Sequence, residues 1–568
     1  MLNIVQFFKC IKKNENFIPI VLLFVFFIIN CIIFWKSGII LMMDIGREYI
    51  IPQAILDGKV LYRDILNIYG PLAFIINAFA FKLFGVKFST LNFMGAISGA
   101  VFVFSCYFLS KEFLSRKLSL VLSLLICTCI FNETIFNFLL PYSFNVIYAL
   151  SAYALSGLFL IRYVKYGNLK DILITAVAAG FCISNKVEYY FLPIIIALSV
   201  LYFRPLKLKN LVKVFAAFML FPVLCLIFLL LQGLSLADIL NALVIIKTSA
   251  LAPTMIWFHK FIGLYPDKLN FINGLKPSLF MLLFVFISFL CWKFTENKRY
   301  LRWFLIFLLF IFMVNFIYFL PKLFCYFPML FVLLTLLYFK RLIKDKCIFV
   351  LCLLSIGASL KTFFSADVMV YGFYTLLLIF IGIAVLFNKI IILPKRLEIN
   401  PFEKERFTTF LVLFFTIIFF VSHISIRMRV GDYKLIGVND NLTSIKVLSI
   451  PLNDMVSYLK TNTNENDRVL VYPEGEIINF LSGRKPDYMY YSLHPIFMDT
   501  FGEENVIKRI KSEKIEYIIM VEGFSMPKFG RTEDYNMFNN FVKENYIMIH
   551  SSQSSRKKDG LYLYKLVK

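Results

Sequence analysis

Residues 44–48 read Asp44-Ile45-Gly46-Arg47-Glu48, and they follow directly on a first apolar run that begins near Phe17 and passes Cys31. Shortly after come Gly58-Lys59-Val60-Leu61-Tyr62-Arg63-Asp64 and Tyr69-Gly70-Pro71. Three carboxylates and two arginines thus stand just beyond an apolar segment, in a chain that is 60% hydrophobic and only 17% charged. Ionisable groups at a membrane boundary are costly unless they work in water or in an enclosed site. The preceding run, introduced by Lys9, Lys12 and Lys13, is too long for a signal peptide and lacks a small-residue cleavage site. It reads as a retained anchor.

Working outward, runs of about 20 apolar residues, enough to cross a bilayer, recur as far as residue 425. The 568 residues carry a formal charge of +24. That excess sits in short connectors, at Lys111–Lys117, Arg162–Lys170, Arg204–Lys213, Lys293–Arg302 and Lys340–Lys346. Basic turns at every second connection are the positive-inside pattern, so the charge speaks for membrane topology and against nucleic acid. Threading on that rule gives a polytopic α-helical membrane protein of about 13 spans with a cytoplasmic N-terminus. Two long outer loops result, 41–88 and 232–272, and Asp44, Asp64, Glu133, Glu188, Asp238, Asp267 and Asp367 all fall outside. The stretch Pro71–Phe84 is apolar but short, and is expected to lie at the interface rather than cross.

The composition then changes, which divides the chain into a transmembrane part, 1–425, and a C-terminal extracytoplasmic part, 426–568, with 20 Lys and Arg against 18 Asp and Glu. Arg468–Tyr472, Glu516–Met520, Tyr546–His550 and Leu561–Tyr564 have strand patterns; Ile477–Leu481 and Asn505–Ile510 have helical spacing. The alternation predicts a small layered α/β domain without a Gly-rich phosphate loop. All 11 cysteines precede residue 353, with no CxxC pair and no Cys/His spacing for zinc. Asn132-Glu133-Thr134 and Asn441-Leu442-Thr443 match the weak glycosylation triplet.

Asp44 has two readings: an N-cap for a helix opening near Gly46, or a general base facing a substrate that arrives from outside. Arg47, one turn on, could pair with it or bind a phosphate. Lys186 and Glu188, in Asn185-Lys186-Val187-Glu188, are either an ion pair at a helix end or part of a phosphate site; His259, Lys260 and Lys361 are further outer cations.

An outer loop that opens Asp44-x-x-Arg47 and continues through Ile55-Leu56-x-Gly58, Tyr62-Arg63-Asp64 and Gly70-Pro71-Leu72 resembles the GT-C membrane glycosyltransferases. The protein O-mannosyltransferases and lipid A aminoarabinose transferases look nearest, and Lys82-Leu83-Phe84-Gly85 and Lys186-x-Glu188 also look like that group. The pattern departs at Ile45, where relatives often have Glu, and at Pro141-Tyr142-Ser143, where they commonly carry an acid. The resemblance implies an inverting transferase that takes a sugar from a polyprenyl-phosphate donor, with Asp44 as base. Arg47, Glu48, Arg63, Asp64, Lys186 and Glu188 are then the candidate substrate-binding residues. No metal and no cofactor are expected. The partners are a lipid-linked donor, membrane lipids and a glycan, lipid or protein acceptor, in what would be a bacterial plasma membrane. The active site is expected between the first outer loop, the membrane rim and the C-terminal domain. A flippase of lipid-linked glycans, or a non-catalytic glycan-binding membrane protein, are the alternatives.

Overall fold

The computed structural model describes residues 16–35, 44–131, 137–295, 298–314, 322–366, 371–429, 434–436, 443–445, 449–522, 535–553 and 560–567. Glu133, Asp367 and the asparagines of both glycosylation triplets, Asn132 and Asn441, lie outside them.

Each apolar run expected to span carries a helix. Among the described residues six helices are long and apolar enough to cross a membrane: Phe17–Phe34, Phe88–Lys111, Phe144–Tyr166, Leu208–Leu231, Lys268–Phe294 and the stretch to Ser425 of a helix that opens at Pro401. The chain is therefore an integral membrane protein. Other runs form shorter helices, such as Arg116–Ile130, Leu169–Asn185 and Lys346–Ser359, so the count of about 13 spans is not established. Leu72–Phe84 is a separate helix of 13 residues. At 1.5 Å per residue that is too short for a bilayer core of about 30 Å.

The segment 232–272 differs from the expected loop. A Ser235–Asp238 capping box opens a helix Leu236–Leu251, and Pro253 starts a second, Pro253–Phe261, at a 60° bend. Leu236, Leu240, Leu243, Val244 and Leu251 are exposed along the first of these, the apolar face of a helix that can rest on lipid. Three contacts hold the pair across one end of the bundle. The Gly233 carbonyl accepts from Arg63 (3.1 Å), Thr254 Oγ1 donates to Asp499 (2.5 Å), and the Gly263 carbonyl accepts from Phe364 N (3.0 Å).

The basic connectors gather at the opposite end. Lys165 pairs with Glu112 at 2.9 Å, Arg204 donates to the Val164 and Lys165 carbonyls, and Lys346 donates to the Phe203 carbonyl.

The C-terminal part holds a four-stranded sheet of Val469–Tyr472, Tyr517–Glu522, Gly560–Leu566 and Tyr546–Gln553, in that spatial order. The first pair is parallel and the other two antiparallel. Strand side chains alternate between faces. Leu470 and Ile518 join Val506, Ile510 and Phe538 in a core of the domain's own. Val469, Val471, Ile519 and Val521 face the other way, into a core continuous with the bundle. Its junction is aromatic: the Phe480 ring lies 4.8 Å from Tyr49 and 5.4 Å from Phe88. The helices Ser449–Asn462, Pro495–Phe501 and Asn536–Asn545 complete the layers; their polar, short or irregular patterns give little helical signal in sequence.

Candidate active site

Asp44 immediately precedes the helix Ile45–Leu56, in a backbone conformation (φ 49°, ψ −33°) that a residue with a Cβ rarely adopts. Its carboxylate does not cap the helix. It turns instead onto Arg47, Oδ1 to Nη1 at 2.8 Å, and stays one-third exposed. Arg47 is buried and spreads its guanidinium over three further partners: Glu48 (Nε to Oε1, 3.2 Å), the Tyr142 carbonyl (Nη2, 3.1 Å) and Tyr69, whose ring it overlies at 4.7 Å.

Glu48 departs from its expected place. It is wholly buried and accepts the backbone N–H of Phe144 at 2.9 Å. That N–H opens the helix Phe144–Tyr166, whose Ser143 supplies no side-chain cap, so Glu48 satisfies an orphan donor at the positive end of the helix. Burial pushes its carboxyl up to about 7, even against the pull of Arg47 and the Phe144 N–H. In this structure every contact shown for Glu48 ties together parts of the fold. Pro141-Tyr142-Ser143, where an acid was sought, is the surface on which Arg47 and Glu48 dock.

Gly70 explains how Tyr69 reaches the cluster. A Cβ there would overlap the Ser184 and Asn185 carbonyl oxygens, and Gly70 N donates to the latter at 3.1 Å. This close approach seats the Tyr69-Gly70-Pro71 turn against the end of the helix Leu169–Asn185. Lys186, the next residue, then overlies the Tyr69 ring at 4.4 Å, so that ring is in contact with two cations. Lys186 also pairs with Glu188 at 3.5 Å, and Lys361 reaches the same Glu188 oxygen at 2.8 Å. Desolvation within the site would raise the Glu188 carboxyl, although its side chain is 40% exposed, but the two ammoniums outweigh it and hold it at about 2. Lys361 further overlies Tyr371 at 4.3 Å, and Phe258 of the bent helix pair packs edge-on against that ring at 6.0 Å. His259 feels both Lys361 and Glu188, and burial lowers it.

Arg63 and Asp64 lie elsewhere. They pair with each other (Nη2 to Oδ2, 2.8 Å), Asp64 accepts Val60 N, and Arg63 reaches the Gly233 carbonyl. The remaining charge acting on Arg63 is Asp238 rather than Asp44.

The C-terminal domain contributes groups that sequence reasoning missed. Gly46 has no room for a Cβ beside the backbone of Glu476 and Ile477, so the helix Ile45–Leu56 abuts that segment directly. Glu474, Glu476, Tyr491 and His494 thereby enter the field of Asp44 and Arg47. Burial, then the nearby Asp44 and Glu476 carboxylates, push Glu474 well up. Burial lifts Glu476 to about 7 and drops His494 to about 4; His494 Nε2 lies 3.6 Å from Glu474. The available signal was two acids flanking Gly475 just after a strand. Among the described residues no group of three or more His, Cys, Asp or Glu side chains is placed to hold a metal ion.

No protein-family profile matches the sequence, and no curated protein matches it. Solved structures do. The archaeal oligosaccharyltransferase AglB from Archaeoglobus fulgidus, in complex with an inhibitory peptide and a dolichol-phosphate, is 13% identical. It is matched over 89% of this chain and 70% of its own, with a TM-score of 0.50. ArnT from Cupriavidus metallidurans bound to undecaprenyl phosphate is 9% identical over 96% of this chain and 97% of its own, at a TM-score of 0.47. The chain thus shares the fold of the archaeal oligosaccharyltransferase AglB.

Proposed function

We propose that the protein is a membrane glycosyltransferase that moves a sugar from a polyprenyl-phosphate donor to an acceptor hydroxyl at the Asp44 end of the bundle. One observation carries this reading: a part-exposed carboxylate, Asp44, is paired with Arg47 at 2.8 Å in the same cluster as Lys186 and Lys361. The positive φ at Asp44 adds to it, since backbone strain gathers at functional sites. AglB, whose fold this chain shares, was solved with a dolichol-phosphate.

In the proposed reaction Asp44 takes the proton of the acceptor hydroxyl as that oxygen bonds to the anomeric carbon. The bond from that carbon to the phosphate oxygen breaks, and polyprenyl phosphate leaves with the electron pair. Inversion follows from attack on the opposite face. Fixed cations at a poorly hydrated site stabilise the phosphate charge as it develops. Lys361 is the most exposed of the cations in the cluster, its side chain 19% exposed against 5% for Lys186 and 6% for Arg47, and so is the one best placed to meet the phosphate. Arg47 and Lys186 act behind it, through Tyr69 and the carboxylates. The acceptor enters against the C-terminal face formed by Glu474 and His494.

The test is to incubate purified protein with polyprenyl-phosphate sugars and candidate acceptors, and to follow release of polyprenyl phosphate and the mass of the acceptor. Release coupled to a sugar's mass gain on the acceptor is expected. Folded protein that binds such donors but never releases polyprenyl phosphate is not a transferase.

A further inference from the structure

We infer that the end of the bundle remote from Asp44 carries a built-in site for an anionic diacyl phospholipid, independent of the transfer reaction. A cavity of about 1520 Å³ opens there between the start of the helix Phe17–Phe34, the turn Lys111–Lys117 and the first half of the helix Pro401–Arg429. That exceeds the roughly 300–1,000 Å³ of ordinary small-molecule pockets. Among the described residues its rim holds Lys111, Arg116, Lys117 and Arg406 against one carboxylate, Glu405. Arg406 is engaged by Glu403 at 2.6 Å, whereas Lys111 and Lys117 make no ion pair among the described residues. The floor is apolar, built from Trp292, Phe410, Leu413, Phe414 and Ile417.

This two-part chemistry selects the occupant. An apolar floor takes acyl chains, each buried methylene contributing, while a basic rim between membrane helices takes a phosphate headgroup. The chain's own N-terminal segment is a poor match, because Lys9, Lys12 and Lys13 outnumber Glu15 and would face a rim of the same sign. A zwitterionic lipid would satisfy the floor but gain little from the surplus of cations. We therefore assign the cavity to a lipid with net negative charge, such as phosphatidylglycerol.

Native mass spectrometry of the full chain in neutral detergent tests the site, with phosphatidylglycerol, phosphatidylcholine and undecaprenyl phosphate added in turn. The parent is expected to retain phosphatidylglycerol over phosphatidylcholine. Lys111→Gln with Lys117→Gln should weaken its retention roughly 30-fold. Thr409→Trp, which fills the cavity and leaves every charge in place, should also displace the lipid. Equal retention of both phospholipids by the parent overturns the proposal, as does parent-like retention by both variants. Preference for undecaprenyl phosphate, lost in the same variants, would reassign the site to donor lipid. Binding that appears only once residues 2–14 are deleted would make the N-terminal segment the occupant.

Discussion

The segment after the first apolar helix presents the same acid–base chemistry twice, and the fold treats the two copies differently. Asp44 and Arg47 are joined at 2.8 Å, and so are Arg63 and Asp64. Arg47 is buried and tied to Glu48, Tyr69 and the Tyr142 carbonyl, with the C-terminal domain packed on its helix. Arg63 is 39% exposed and, apart from its neighbour, reaches only the Gly233 carbonyl among the described residues. Residue type therefore does not distinguish a candidate site from a surface clip. Enclosure does, together with the number of separate chain segments that converge.

Asp44→Asn should break the comparison hardest. The amide keeps the shape and can still accept from Arg47, but it cannot take a proton. Transfer is expected to fall by roughly 10²–10⁴-fold, the usual contribution of a general base. Expression and donor binding should hold. Near-normal turnover at neutral pH would remove Asp44 from the role of base.

Glu48→Ala tests the opposite assignment for the adjacent carboxylate. It strips a partner from buried Arg47 and orphans the Phe144 N–H, so stability should drop by roughly 3–5 kcal/mol. Thermal unfolding in detergent measures it. If stability stays at the parent's level while turnover collapses, Glu48 belongs to the chemistry after all.

Much of this was legible in the sequence, and the limits have physical causes. The Asp44–Arg47 motif, the strands and the short apolar helix Leu72–Phe84 come from local periodicity and turn chemistry. The burial of Glu48 was not legible because sequence cannot tell a carboxylate aimed at solvent from one aimed at a helix terminus 96 residues away. Glu474 and Glu476 were missed because acids in a balanced soluble domain look like a solvated face; only the contact of Glu476 and Ile477 with Gly46 brings them beside Asp44 and Arg47. The bent pair over 232–272 hides its helices behind Pro253 and a capping box, features that also mark loops.

Lys361→Ala should act on the donor. Losing a charged contact with the phosphate raises the half-saturating donor concentration roughly tenfold to a hundredfold, with the acceptor's value unchanged. A donor dependence identical to the parent's would reduce Lys361 to a partner of Glu188.

The interface itself should respond to pH. Glu48 and Glu476 both titrate at about 7 in the fold, above the ordinary carboxylate value near 4.5. A raised carboxyl pKa means the folded state holds its proton longer. The resulting stabilisation is complete below about pH 4.5 and is lost as pH rises through about 7. His494, lowered to about 4 in the same interface, works in the opposite sense below about pH 6.5, so unfolding temperature should fall by a few degrees between pH 6.5 and 8, and Glu476→Gln should flatten that slope. Glu188, held at about 2, keeps its charge across that range and leaves the slope untouched. An identical slope in the Gln variant would show that Glu476 does not titrate there.

The smallest effect is expected at the second copy of the motif. Arg63→Ala removes the clip between the first outer segment and Gly233, but Asp64 still accepts the Val60 N–H that closes the turn. Exposed pairs of this kind contribute little, because both partners are hydrated when apart and screened when together. Neither donor nor acceptor dependence should move, and transfer at raised salt should match the parent's. A rise in the half-saturating donor concentration would sink the contrast, since it would mean that the bent helices over 232–272 bring Arg63 to the phosphate once donor is bound. Combining Arg63→Ala with Lys361→Ala decides between these outcomes. A clip leaves the double variant no worse than Lys361→Ala alone, whereas a second phosphate cation makes the two losses multiply.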